Sequence, residues 1–286
     1  MKKIFQYSLG LVSMAFMVTS CQKMDKPGLG NYPQDENPPG GPLKFYVAFD
    51  GNSTNQLKNS ADSIRANFPS VTGEVVDGGA SGRAYQGSPT SFVNFGSPND
   101  WAGSTSFTVA FWVKKTPQAA GQGTNYAFAL ASSGYSWTNL KVFFEFEDAG
   151  NPSTTDAAAG KFYLMDQWFE YTGAKRMPNV LDGTWHHLAF VYDETTSYLY
   201  TYIDGQAPTN LPAGFGNVTK NGAPRGPLNL VEDGIGISGF IIGGPGQRAH
   251  DANTWMGNLD GQMDQFRLYG KALSASEVQA LYISRL

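Results

Sequence analysis

The stretch that most constrains the fold runs from residue 182 to 206, DGTWHHLAFVYDETTSYLYTYIDGQ. Trp185 to Tyr192 is a run of aromatic and apolar residues that contains two histidines, and Tyr198 to Ile203 is a second apolar run. The link between them, Asp193-Glu194-Thr195-Thr196-Ser197, is short and polar, so the stretch reads as a β-hairpin. Successive strand side chains point to opposite faces. His186, Leu188, Phe190 and Tyr192 therefore share one face, and Trp185, His187, Ala189 and Val191 the other. Neither face is polar throughout, which predicts a hairpin in the interior of a sheet, covered on both sides. Asp204-Gly205 ends the second strand with a turn signal.

Similar runs recur along the chain. Residues 43–49, 71–79, 84–95, 126–131, 141–147, 161–165, 168–171, 240–243 and 262–269 read as strands or short β segments. The cleanest period is at 106–114, with Phe107, Val109, Phe111 and Val113 on one face and Thr108, Ala110, Trp112 and Lys114 on the other. The 34 glycines supply the turns between strands. One helix is expected, at the C-terminal end. There Ser274 and Glu277 form a capping box, and Leu273, Val278, Leu281 and Tyr282 make an apolar stripe. The expectation is an all-β, two-sheet antiparallel sandwich with a short C-terminal helix, in one domain spanning 43–286.

Before that domain, Lys2 and Lys3 precede an apolar stretch at 4–18 that is shorter than the roughly 20 residues of a membrane-spanning helix. It ends at Val18-Thr19-Ser20-Cys21, which resembles the lipobox of bacterial lipoproteins. The resemblance implies a signal peptide at 1–20 and a lipid on Cys21, the single cysteine, so no internal disulfide is available. Residues 22–42, rich in Pro, Gly, Asn and Asp, read as a flexible tether. Gln22 after the cysteine, by resemblance to bacterial sorting rules, implies the outer membrane of the cell envelope. A net charge of −4 with no basic stripe argues against a nucleic-acid partner.

Five pieces, in this order, carry a family resemblance: Tyr46-Val-Ala-Phe-Asp-Gly51; Ser106-Phe-Thr-Val-Ala-Phe-Trp112; Asp182-Gly-Thr-Trp-His-His187 with Tyr202-Ile-Asp-Gly205; Gly261-Gln-Met-Asp264-Gln-Phe-Arg-Leu-Tyr269; and Leu273-Ser-Ala-Ser-Glu277. Together they resemble the laminin-G-like, concanavalin A-like lectin/glucanase domains, which implies a jelly-roll sandwich. The resemblance is thinnest at 117–180 and in the Gly/Pro-rich stretch 206–258.

The resemblance also implies candidate sites. Asp50 and Gly51 after the first strand, with Asp264 opening the last, match positions that hold a structural Ca²⁺ in related domains. Hydrolases of the superfamily carry Glu-x-Asp-x-x-Glu on one strand. Glu145 and Glu147 are the nearest match here, but Gly150 stands where the third carboxylate would be, so a solvated strand edge is the expected reading. Adjacent on a strand, His186 and His187 cannot chelate one ion together; one ring is expected in the core with its hydrogen bonds satisfied and the other hydrogen-bonded across the sheet. Sugar sites pair aromatic faces with planar polar groups, and Tyr135, Trp137, Trp168, Tyr171 and Trp255, with Arg176, are candidates in or beside loops. Trp112 and Trp185 are assigned to the sandwich. The expected function is a non-catalytic carbohydrate-binding lipoprotein whose partner is a polysaccharide or host glycan and whose lipid holds it to the membrane. The alternatives are a glycoside hydrolase or lyase of the same fold, and a scaffold that binds another envelope protein.

Overall fold

The computed structural model describes residues 41–61, 68–118, 123–134, 138–147, 155–232 and 234–285. In chain order the strands are β1 (Leu43–Val47), β2 (Glu74–Asp77), β3 (Arg83–Gln86), β4 (Val93–Phe95), β5 (Phe107–Lys114), β6 (Thr124–Ser132), β7 (Leu140–Phe146), β8 (Gly160–Leu164) and β9 (Gln167–Tyr171). They continue with β10 (Trp185–Asp193), β11 (Tyr198–Ile203), β12 (Thr219–Lys220), β13 (Ala223–Pro224), β14 (Ile237–Ile242), β15 (Met256–Asn258) and β16 (Gln262–Tyr269). Among the described residues there are two α-helices, α1 (Gln247–Ala252) and α2 (Ala275–Ser284).

The strands form two sheets and one small ribbon, β12–β13. The first sheet has the order β11-β10-β5-β16-β3-β2, with β1 also on β16, and the second β4-β14-β6-β7-β8-β9, with β15 also on β6. The chain's first and last strands pair antiparallel, Val47 opposite Phe266. The predicted segment 84–95 divides: β3 joins the first sheet and β4 the second, with the turn at Ser88-Pro89 between them.

Alternation built the core as the sequence required. Phe107, Val109, Phe111 and Val113 of β5 and Leu188, Phe190 and Tyr192 of β10 are buried with Val142, Phe144 and Phe146 of β7 and Phe162 of β8. Phe190 lies 4.7 Å from Phe144 and 4.9 Å from Phe162, ring centre to ring centre, which ties the sheets together. Each such side chain contributes about 1.5–3 kcal/mol through burial. The opposite face of β10 carries Ala189 and Val191, which pack with Leu273 and Val278 at the C-terminal helix. That helix starts with the expected box: Glu277 N donates to Ser274 Oγ at 3.3 Å, and Ser274 N to Glu277 Oε2 at 2.7 Å.

Two expectations need correction. The hairpin is not interior: β11 is the end strand of its sheet. Its outer edge is paired instead by the long excursion that follows, with Leu199 N donating to Gly216 O at 2.7 Å and Val218 N to Ser197 O at 2.8 Å. Val218, Leu228 and Leu230 from that excursion enter the core, so loop packing gives an end strand the apolar pattern of an inner one. The second correction is α1, a helix the sequence did not signal. It is six residues long and its N-cap is Gly246, which offers no side-chain cap, so it carries none of the usual start marks.

Candidate functional site

Three strand ends meet at one end of the sandwich. Lys114, the last residue of β5, lies opposite both Trp185 of β10 and Gln262 of β16. The turn into β16 passes so close that a Cβ on Gly261 would lie 2.9 Å from the Lys114 carbonyl oxygen, a contact only glycine avoids. Asp260 is therefore held beside Lys115. The Lys115 side chain is buried and donates to Thr116 O at 3.2 Å. Burial lowers its pKa, and the carboxylates of Asp260 and Glu147 oppose that shift.

Asp260 itself is exposed and lines two open cavities. One, of about 220 Å3, is lined with Lys114, Lys115, Thr116, Gly183 and Gln262; the other, of about 330 Å3, with Pro89, Gln118, Asn125, Gly257 and Asn258. The amides of the second are fixed by backbone. Asn125 Oδ1 accepts from Asp260 N at 3.2 Å, Asn258 Nδ2 donates to Pro89 O at 3.0 Å, and Gln118 Nε2 donates to Gly123 O at 2.6 Å. Trp255, 40% exposed, stands two residues before Gly257, and its carbonyl accepts from Thr124 N at 3.3 Å. Planar amides held in place, an exposed carboxylate and an exposed indole are the chemistry that hydroxyl-rich ligands need.

A second cluster lies where β1 and β16 meet. Asp264 is fully buried; its Oδ2 accepts from Ser81 N at 3.0 Å and its Oδ1 from Gln265 N at 2.7 Å. Asp50 Oδ1 accepts from Arg83 N at 2.8 Å. Glycines let the turn before β3 close over both: a Cβ on Gly82 would lie 2.2 Å from Asp50 Oδ1, and one on Gly79 2.7 Å from Asp264 Oδ2. Burial, seconded by the charge of Asp50, pushes the Asp264 carboxyl up to about 7. Two carboxylates on a turn are oxygen donors suited to a hard cation. Gly51 follows in an exposed turn with φ 91°. Among the described residues no group of three or more His, Cys, Asp or Glu side chains could hold a metal, so main-chain oxygens would have to complete any shell.

The glutamates are not a solvated edge. Glu145 and Glu147 are each 1% exposed. Glu145 lies opposite Tyr126, whose hydroxyl is pushed well above its usual range by burial and then by the Glu145 charge. Glu147 falls beyond the end of β7 with φ 62° and its charge acts on Lys115. The left-handed turn breaks the alternation that would have put the two carboxylates on one face.

The histidines are architectural, though not as expected in detail. His186 holds the hairpin shut, with Nδ1 2.8 Å from Asp204 Oδ2 and Nε2 3.1 Å from Asp182 Oδ1. His187 is buried against Trp112, ring centres 5.3 Å apart, and neither ring nitrogen has a hydrogen-bond partner among the described residues. His250 Nδ1 lies 2.8 Å from Met256 O.

Of the aromatic candidates, Tyr171 is corrected: its ring is fully buried in the core and its hydroxyl lies 2.6 Å from Thr201 Oγ1, so it presents no face to a ligand. Trp168 is half-buried against Phe143 and Tyr163, with Lys161 Nζ 5.5 Å from its ring centre. Arg176 Nη1 donates to Ala157 O at 3.4 Å. Trp112 is buried, and Trp185 donates from Nε1 to Gly78 O at 3.2 Å. Tyr135, Trp137 and Cys21 lie outside the described residues. Sequence reasoning missed Lys114, Lys115, Gln118, Asn125, Asn258 and Asp260. The available signal was the amide- and glycine-bearing run Asn258-Leu-Asp-Gly-Gln262 just before the last strand.

No curated protein matches the chain in sequence. Among solved structures it is similar to a Trypanosoma rangeli sialidase in complex with 2,3-difluoro-KDN, with 16% identity, a TM-score of 0.52, and coverage of 85% of this chain and 33% of the sialidase. It is also similar to a botulinum neurotoxin type C structure concerned with two ganglioside molecules, with 11% identity, a TM-score of 0.53, and coverage of 85% and 51%. Domain 4 of a Geobacillus stearothermophilus arabinanase, in complex with arabinotriose, gives 20% identity and a TM-score of 0.48, covering 84% of this chain and 98% of that domain. The chain thus spans a third of the sialidase and half of the neurotoxin chain, and at these identities the likeness is one of fold. The Laminin_G_3 family model, described as Concanavalin A-like lectin/glucanases superfamily, matches residues 86–279. With the jelly-roll sandwich and that match in hand, the chain belongs to the concanavalin A-like lectin/glucanase superfamily.

Proposed function

We propose that the protein is a non-catalytic glycan-binding lipoprotein of the bacterial cell envelope, held at the outer membrane by a lipid on Cys21, and that it captures its glycan at the end of the sandwich around Asp260. One observation carries the site: an exposed carboxylate lies between two open cavities, with fixed amides at Asn125 and Asn258 on one side. The superfamily, of lectins and glucanases, supplies the ligand class, while fold alone does not fix function. A binding role is favoured over hydrolysis because Glu145 and Glu147 are buried and act on different partners, Tyr126 and Lys115. A retaining hydrolase needs two carboxyl groups about 5 Å apart across the scissile bond.

The test is a polysaccharide panel scored for both retention and product. Binding without release of reducing sugar, weakened at least tenfold by Asp260→Ala, is the expected result. Release that disappears in Glu145→Gln or Glu147→Gln would replace this reading with the hydrolase. Anchoring is checked separately: Cys21→Ala should move the protein from the membrane fraction to the soluble one. We also propose a structural Ca²⁺ at Asp50, Gly51 and Asp264, where the two carboxylates already converge.

A further inference from the structure

Charge is distributed unevenly across the two cavities that share Asp260. The smaller is lined by two lysines, Lys114 and Lys115, and one acidic residue, Asp260; the larger by the same Asp260, three amide residues and no basic residue. The two lysines are not equivalent. Lys115 is buried, gives a hydrogen bond to Thr116 O, and has the carboxylates of Asp260 and Glu147 acting on it, so its charge is already answered within the protein. Lys114 is only half-buried, and its side chain forms no hydrogen bond or ion pair with the other described residues. Its backbone is fixed by the ladder, opposite Trp185 on one side and Gln262 on the other. Gln262 is itself braced by Gln86, with Nε2 2.9 Å from Gln86 Oε1.

We infer that this end of the sandwich takes two successive units of an acidic oligosaccharide, an anionic unit beside Lys114 and a neutral unit over Asn125 and Asn258, with Asp260 accepting hydroxyl hydrogen bonds at the junction. The inference rests on the glycan site proposed above and names its substrate class. The electrostatic attraction between buried Lys115 and the carboxylates of Asp260 and Glu147 offsets part of the repulsion an anion would otherwise meet there. That leaves Lys114 as the cation available to the ligand. The shared chemistry is an anionic sugar, bearing either carboxylate or sulfate. A charged contact at a partly exposed site is salt-sensitive, while amide–hydroxyl contacts are much less so.

The test is equilibrium binding by the full chain of four oligosaccharide sets: uronate-bearing, the same after carboxyl reduction, sulfated, and the same after desulfation. The expected result is that removing the anionic group from one matched pair weakens binding about tenfold, the size of one charge-assisted contact. The pair that responds identifies the anion. Lys114→Ala should bind the charged and neutral members equally, at the weaker level, while Lys114→Arg keeps the preference. Raising salt should weaken only the charged member. Both variants are checked by thermal melting, so that loss of fold is not taken for loss of a charge. Equal binding of charged and neutral members by the unaltered protein would overturn the inference and leave the glycan site standing. Failure of every oligosaccharide to bind would remove both.

Discussion

His187 shows how much one side chain can depend on what covers it. Its ring is packed against Trp112 and, from the C-terminal helix, Tyr282, at 5.3 and 6.4 Å between ring centres. Burial holds its pKa down to about 3, and the charge of Arg267 adds to the effect. The unfolded chain takes up a proton near pH 6.5 that the folded chain refuses. Stability from this residue is therefore present above about pH 6.5 and is lost as pH falls toward 3, on the order of a few kcal/mol in all. His186 runs the other way. The Asp204 hydrogen bond raises its pKa, so its contribution is present below the unfolded value and fades as pH rises through the folded one. We expect His187→Gln to flatten the fall in urea midpoint between pH 6.5 and 4, and His186→Gln to lose more stability at pH 6 than at pH 8.5. An unchanged acid limb in His187→Gln would show that other groups drive it. The separation of the two rings was legible in the strand period. The buried ring's lack of a partner was not, because it depends on Tyr282, ninety-five positions away in sequence.

At the scale of elements, strands declared themselves and their ends did not. The period of β5 and β10 gave both faces correctly, because a buried strand has one way to point its alternate side chains. Tyr171 was misread because β9 is short and follows a region rich in loops, so its inward position left no pattern long enough to see. Glu147 was misread because one left-handed residue ends β7 and cancels the alternation. Lys114 and Asp260 were passed over because what joins them is the approach of two turns. That approach gives its own prediction. Gly261→Ala would set a methyl against the Lys114 carbonyl at 2.9 Å, and its φ of 155° already favours glycine. Glycan affinity should fall at least tenfold, with a stability loss of about 1–3 kcal/mol. At the other end of the domain Ser274→Ala removes the helix cap at a cost of about 1 kcal/mol. It should leave binding unchanged, which makes it the control for stability loss alone in the same assay.

For the whole molecule, the decisive feature is that the chain's first and last strands are neighbours. β1 lies antiparallel on β16, and the turn before β3 closes over Asp50 and Asp264 where they meet. That pairing brings together the two positions, after the first strand and at the start of the last, that the family resemblance offered for a cation. Missing from the sequence was how the carboxylates are held: three backbone amides already serve them, and Asp264 is buried deeply enough for its pKa to rise to about 7. A cation at this point would neutralise two converging charges and fasten both ends of the domain, so its effect should appear in global unfolding. With free Ca²⁺ at a hundred times its dissociation constant the gain is about 2.7 kcal/mol. For a domain of this size that corresponds to a rise in Tm of roughly 5–10 °C over the chelated protein. Asp264→Asn keeps the shape and removes the charge. It should abolish the calcium-dependent rise and leave the chelated protein folded but about 1–3 kcal/mol less stable, because the amide oxygen can accept from only one of the two backbone amides, Ser81 and Gln265, that the carboxylate serves. Mg²⁺, which prefers a tight octahedral shell, should substitute poorly at a site completed by main-chain oxygens. A melting temperature that is the same in Ca²⁺ and in chelator would mean that the amides alone hold the two aspartates, and that the ends are joined by the β1–β16 ladder without an ion.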